Sequence, residues 1–277
     1  MDRLFAYIGN DANLVRCAVH QVIKPLEGHL AGAMSGWGMG YEQESQFLLR
    51  KRPQSTDLDL MGLAGDLRSD SFVLHLRGEG QPQATPADMN PFRFRSWLFA
   101  QTGDLSQHIE RKDALEIPDF LTRNIRGCSN SEQLFHRFLV HLKRERVPLQ
   151  HPIAPTKPTL TALARTVAEA QRWAREGGEE ALRLGVVLSN GRCLYVASVG
   201  EQFQFFKVSG VESCPICEGQ PLFAGHRPKK THHRHLRAAL LVSVRGEGGG
   251  GDCIGDGEVA AVGVDLKLHR FKISALL

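Results

Sequence analysis

Two groups of residues in this chain carry side chains able to do chemistry. The denser is Cys214-Pro215-Ile216-Cys217, followed by His226, His232, His233 and His235. Thiolate and imidazole are the preferred ligands of a tetrahedral Zn²⁺, and a Cys-x₂-Cys knuckle with two downstream histidines has the reach of a small zinc loop. Cys214, Cys217, His232 and His235 form the candidate set for a structural zinc. Against it, the histidines lack paired, regular spacing, and Arg227, Lys229, Lys230, Arg234 and Arg237 make the same stretch strongly basic. A solvated basic surface loop accounts for the same residues, and both readings stand. Phosphate or nucleic acid would suit the charge, but no aromatic residues interleave to stack on bases, so nucleic acid is not expected as a partner. The second group is sparser: Asp2, His75, Arg77 and Asp104. A carboxylate acting as general acid or base needs protonatable neighbours, and only His75 and Asp104 offer themselves to Asp2.

Composition bounds the rest. The 277 residues are 42% hydrophobic and 23% charged, enough for one large core or two small ones. Lys and Arg total 34 against 30 Asp and Glu, and the resulting +4 is too small to argue for a nucleic-acid partner. No stretch reaches the ~18 apolar residues of a membrane span. Asp2 and Arg3 are followed by no secretory apolar segment, so neither membrane nor signal peptide is expected and the location is expected to be cytoplasmic. Cys17, Cys128, Cys193 and Cys253 are scattered and read as small buried or half-buried apolar residues, not as a disulfide framework.

The positioning elements can be read in order. Residues 3–9 form an apolar alternating run and predict a strand. Residues 13–24 carry Leu14, Val15, Ala18, Val22 and Ile23 at helical spacing, closed by Pro25. In 33–41 three glycines surround Trp37, which lets backbone approach backbone while the indole anchors a core. Residues 46–50 supply a hairpin partner. Residues 71–77 alternate and end in Arg77, which shares a face with His75. Residues 97–100 read as another strand and 114–124 as a short helix. Ser129 or Ser131 would cap a helix through Phe138, Leu139 and Leu142. A Pro-rich loop over 143–157 is followed by an amphipathic helix at 159–175, ending at Gly177-Gly178. Strands follow at 182–189, 193–199 and 203–208, with Asn190-Gly191 as the turn between the first two. Further strands are expected at 238–244, 259–264 and 268–273, and 246–251 as a glycine-rich surface loop.

A strand beginning at residue 2 is unusual, since chain ends are normally loose. The N-terminal nucleophile hydrolases need that arrangement, because there residue 2 becomes residue 1 and its α-amine serves as base for its own side chain. The opening Met1-Asp2-Arg3-Leu4 resembles the Met-Cys-Arg-Leu start of the stand-alone class II glutamine amidotransferases, the YafJ-like and ergothioneine-pathway γ-glutamyl hydrolase group, with Asp2 where that group has its nucleophilic Cys. Ser35-Gly36-Trp37-Gly38-Met39-Gly40 resembles the group's Asp-Gly-Trp-Gly-Ile-Gly. His75-Leu76-Arg77 resembles His-Val-Arg, whose Arg grips the glutamine α-carboxylate, a task suited to a two-pronged donor. His75 itself is read as structural. Asn90-Pro91-Phe92 and Trp97-Leu98-Phe99-Ala100 match further segments, after which Gln101-Thr102-Gly103 stands where the group has His-Asn-Gly. The Asn side chain and Gly N–H form the oxyanion hole there, so Gly103 is kept and Thr102 replaces Asn. Removing one oxyanion donor costs ~10²–10³ in rate. In Gly127-Cys128-Ser129-Asn130-Ser131-Glu132, neutral Asn130 replaces the Asp that pairs with the substrate α-ammonium.

The resemblance implies an α+β fold, the four-layer αββα sandwich of the N-terminal nucleophile hydrolases, as a single amidotransferase-like domain over 1–277 with an internal boundary conceivable near 146–158. Arg77, Thr102, Gly103 and Asn130 are then the substrate-binding positions, and Asp2 marks the nucleophile position without supplying a nucleophile. Asp2 is also bulky enough that Met1 is expected to stay, which would deny the α-amine. Three changed positions point to a pseudoenzyme with a protein partner and, near Arg77, a glutamine-like small ligand. The alternative is an amidohydrolase of glutamine or γ-glutamyl substrates with altered chemistry at Asp2. No cofactor is expected beyond the zinc set above.

Overall fold

A computed structural model describes residues 2–30, 32–80, 84–103, 105, 117–150, 156–178, 181–219, 230–244 and 252–277. Its centre is β1 (Arg3–Gly9), the fourth strand of a seven-stranded antiparallel sheet. Leu4, Phe5, Ala6, Tyr7 and Ile8 are all buried, because this strand has covered faces on both sides. On one side β1 pairs with β10 (Arg237–Val244), then β9 (Gln202–Ser209) and β11 (Asp252–Ile254). On the other it pairs with β4 (Ser71–Gly78), then β2 (Met34–Gln43) and β3 (Gln46–Arg52) at the edge. A second antiparallel sheet runs β13 (Leu268–Lys272), β12 (Glu258–Gly263), β8 (Cys193–Val199), β7 (Leu184–Ser189), β6 (Trp97–Thr102), β5 (Phe92–Phe94).

Strand alternation divides the apolar side chains into three cores. Phe5, Tyr7, Leu74, Leu76 and Trp37 face one way, against α1 (Val15–Leu30) and α2 (Leu60–Asp66). Leu4, Ala6, Ile8 and Val73 face the other way and pack with Leu98, Ala100, Val187 and Val196 of the second sheet. The far side of that sheet, with Trp97, Phe99, Leu188 and Tyr195, is covered by α4 (Asn130–Arg144) and α5 (Thr156–Glu176). Ser71 and Ser189 also join the two sheets directly, hydroxyl to hydroxyl at 2.5 Å.

Local chemistry explains several boundaries. Asp59 accepts from the Gly62 N–H at 2.8 Å and starts α2. Ser129, not Ser131, caps α4, accepting from the Glu132 N–H at 3.1 Å. Pro25 does not close α1, which continues to Leu30; proline keeps a helical φ and forfeits one backbone bond, so a helix held by other contacts can run through it. The expected helix at 114–124 is α3 (Asp119–Thr122), with 106–116 outside the described residues, as is the loop at 246–251. The hairpin turn sits one residue later than expected. Ser189 pairs with Leu194 and Asn190 with Cys193, so Gly191 and Arg192 form the tip. Asn190 instead uses its side chain to accept from the N–H of Arg192 and Cys193. In β2, a Cβ on Gly38 would lie 2.1 Å from the Asn90 carbonyl oxygen, so this glycine is what lets β2 meet the 90–91 backbone.

Candidate functional site

The start of β1 lies beside the end of β4. Arg3 pairs with Leu76, which brings Asp2 alongside the 77–78 backbone. The Asp2 carboxylate is bound at both oxygens: Oδ2 lies 3.0 Å from His75 Nε2, and Oδ1 accepts the Gly78 N–H at 2.9 Å. Burial alone would raise the Asp2 pKa, but the His75 charge and hydrogen bond and the Gly78 N–H outweigh it, holding the carboxyl below its ordinary value. His75, read from the sequence as structural, is thus the hydrogen-bond partner of Asp2. Its 2% exposure and its place on the Val73 side of β4 put it at the edge of the core between the sheets.

Arg77 lies on the same side of β4. The register of β2 against β4 shifts between Met34 and Gly36, leaving Ser35 in an irregularity that aims its hydroxyl at the end of β4. Ser35 Oγ donates to the Gly78 carbonyl at 2.9 Å and accepts from Arg77 Nη1 at 3.2 Å. Both backbone groups of Gly78 are therefore engaged, one by Asp2 and one by Ser35. This short network joins β1, β2 and β4, and Ser35 and Gly78 are members that the sequence did not mark as binding positions. The shared face of His75 and Arg77, and His75 as a candidate neighbour of Asp2, hinted at it.

Thr102 ends β6 on the side of Leu98 and Ala100, facing the core between the sheets. It is 3% exposed, and its hydroxyl has no hydrogen-bond partner among the described residues. Gly103 follows at φ +97°, and a Cβ there would lie 1.9 Å from the Arg183 carbonyl, so the position admits glycine alone without movement. Asn90 braces the neighbouring turn, its Oδ1 accepting from the Gln101 N–H at 3.2 Å. Asn130, the first residue of α4, donates through Nδ2 to the Leu105 carbonyl at 3.2 Å, tying the chain after β6 to that helix; this hydrogen bond runs to Leu105 and not to Arg77 or Asp2. Asp104, the other expected neighbour of Asp2, lies outside the described residues.

The zinc-ligand candidates are regrouped by the fold. Cys214 precedes α6 (Pro215–Gly219), Cys217 lies in it, and His232, His233 and His235 belong to α7 (Lys230–His235). The histidine that faces the two cysteines is His233, and Cys17 from α1 completes a group whose ligand atoms all lie within 4.8 Å of one another. His232 and His235 are exposed and outside this group. The reason is helical rotation: successive side chains turn by about 100°, so neighbours of an inward histidine point elsewhere. His226 lies outside the described residues.

The chain belongs to the class-II glutamine amidotransferases, whose family model it matches over residues 10–207. That span begins beyond Asp2. No curated protein sequence matches the chain. Among solved structures, it is similar to a glutamine aminotransferase class-II domain protein from Silicibacter pomeroyi, with a TM-score of 0.60 and 18% identity over 98% of this chain and 99% of that one. It is also similar to a predicted glutamine amidotransferase from Pseudomonas aeruginosa, with a TM-score of 0.51 and 14% identity over 96% and 94% of the two chains. The glutamine phosphoribosylpyrophosphate amidotransferase from B. subtilis gives a TM-score of 0.53 and 11% identity, this chain spanning 49% of its length. At such identities the likeness speaks for the fold, an N-terminal-nucleophile-hydrolase-like arrangement. No helix among the described residues is long and apolar enough to cross a membrane.

Proposed function

We propose that this chain is an amidotransferase-fold protein that does not hydrolyse glutamine and serves as a binding, scaffold or regulatory subunit. The observation that carries the reading is the clamped carboxylate at position 2. A charged carboxylate bonded to His75 and to the Gly78 N–H is a satisfied acceptor and a poor nucleophile. Its attack on an amide would also have to form an anhydride, a species more reactive than the amide it came from. The oxyanion position offers a Thr102 hydroxyl in place of an amide, and Asn130 lacks the charge that would meet an α-ammonium. Arg77 keeps the side-chain type that suits a carboxylate, which supports a retained glutamine-like ligand. A protein partner is supported by the edge strand β3, where Leu48 and Leu49 are exposed beside Arg50 and Arg52.

The same reading assigns the chain to the stand-alone, YafJ-like group, with the three cores as the interiors of an αββα sandwich. None of the six cysteines is in a disulfide, which fits a reducing, cytoplasmic compartment.

The test is ammonia release from L-glutamine and from a γ-glutamyl peptide, beside a relative that keeps the Cys nucleophile. The expected result is no release above background, with Asp2→Cys alone failing to restore it. Turnover by the unaltered chain would overturn the proposal. One observation favours a second reading: Asp2 and His75, 3.0 Å apart, could act as an acid–base pair. Release that disappears in Asp2→Ala would establish that alternative.

A further inference from the structure

We propose that Cys17, Cys214, Cys217 and His233 bind one Zn²⁺ that fastens α1 to the Cys214–Cys217 knuckle and to α7. The inference is independent of whether the chain hydrolyses glutamine. Cys17 Sγ lies 3.3 Å from Cys217 Sγ, and Cys217 Sγ lies 3.8 Å from Cys214 Sγ. With Zn–S bonds of about 2.3 Å, the ligands of a tetrahedral site stand roughly 3.8 Å apart, so the sulfurs already have the spacing of a coordination shell. Three sulfurs and one imidazole within 4.8 Å of one another make a closed Cys₃His set, the composition of a structural site with no open position.

The backbone holds these ligands from independent elements. The Cys217 N–H donates to the Cys214 carbonyl at 3.0 Å, closing the Cys-Pro-Ile-Cys knuckle. The Val211 N–H donates to the His233 carbonyl at 2.9 Å and the Gly210 N–H to the Leu236 carbonyl at 2.8 Å, locking α7 against the stretch before the knuckle. Cys17 and Cys214 are both buried in the core beneath α1. Binding releases the three thiol protons to solvent and uses neutral His233, leaving a net charge of −1 on the complex. Soft thiolates in a tetrahedral arrangement select zinc over the hard divalent cations.

The experiment uses the full chain, purified without chelator and without added metal. Elemental analysis is expected to find one zinc per chain, and X-ray absorption at the zinc edge three sulfurs and one nitrogen. Cys17→Ser and His233→Ala are expected to lose the metal, whereas His232→Ala and Cys128→Ser keep it. A chelator should lower the thermal midpoint of the unaltered protein, and zinc should restore it. The proposal is overturned if the unaltered chain contains no stoichiometric zinc, or holds iron instead. A Cys17–Cys217 disulfide found by non-reducing mass spectrometry would also overturn it, as would zinc retained in Cys17→Ser. Should the variants fail to fold, the absorption spectrum of the unaltered chain decides alone, and any other ligand count refutes the site.

Discussion

Asp2 can be tested as a structural clamp by replacing it. Its side chain is 14% exposed and is hydrogen-bonded to His75 and by the Gly78 N–H. Bonds to charged groups contribute about 1.5–3 kcal/mol each and neutral ones about 0.5–1.5. Asp2→Asn keeps an acceptor for the Gly78 N–H and turns the His75 contact neutral, so it should cost about 1–1.5 kcal/mol. Asp2→Ala removes both bonds and leaves the Gly78 N–H and the His75 ring without them, an expected cost of about 3 kcal/mol. For a chain this long that is a fall in Tm of roughly 6–12 °C. The folded carboxyl titrates below its unfolded value, so its contribution is fully present above the unfolded pKa near 3.9 and is lost as pH falls through the folded one. The gap between the native chain and Asp2→Asn should therefore hold from pH 7 to about 5 and narrow in more acid solution. Urea denaturation followed by circular dichroism reads both quantities. An active-site carboxylate held under strain behaves oppositely, its removal leaving the protein as stable or more so. If Asp2→Ala is neutral or stabilising, the clamp argument fails and the pseudoenzyme reading loses its main support.

Between α4 and α5, Arg137 grips Glu169 through Nε at 2.6 Å and Nη2 at 2.7 Å, while His141 Nε2 stands 3.0 Å from the same carboxylate. Burial would raise the Glu169 pKa, but these partners lower it to about 2. Arg137→Leu should cost about 3 kcal/mol at pH 7 by leaving Glu169 with His141 alone; the cost should be present above about pH 4.5 and shrink towards pH 2, and urea midpoints unchanged by the substitution would refute the pairing. Gly103→Ala should cost at least about 2 kcal/mol, from a left-handed φ and a clash with the Arg183 carbonyl. Gly80→Ala, with φ +81° and open space, isolates the backbone share, and equal costs in the two would show that the Arg183 contact yields freely.

The sequence determined the elements that depend on neighbours along the chain. The strands at 3–9, 71–77 and 193–199, the capped helix at Ser129 and the tight glycines of β2 all follow from alternation, caps and small residues, each set within a few positions. Short α2, β5 and β11 went unread, because segments of three to seven residues carry too little periodicity to stand out. The tertiary structure decided the partnerships. His75 and Asp104 both stood as possible neighbours of Asp2, and only the pairing of β1 with β4 sets the His75 ring 3.0 Å from the Asp2 carboxylate. Ser35 became part of the network through a register shift in β2, which no pattern along the strand announces. Cys17 reads as a lone apolar cysteine, yet packing sets it 3.3 Å from a cysteine 200 positions away, and helix rotation selects His233 from among three neighbouring histidines. Periodicity and capping are local and so are written in sequence, whereas a site assembled from β1, β4 and β2, or from α1, α6 and α7, exists only once packing has fixed the distances between them.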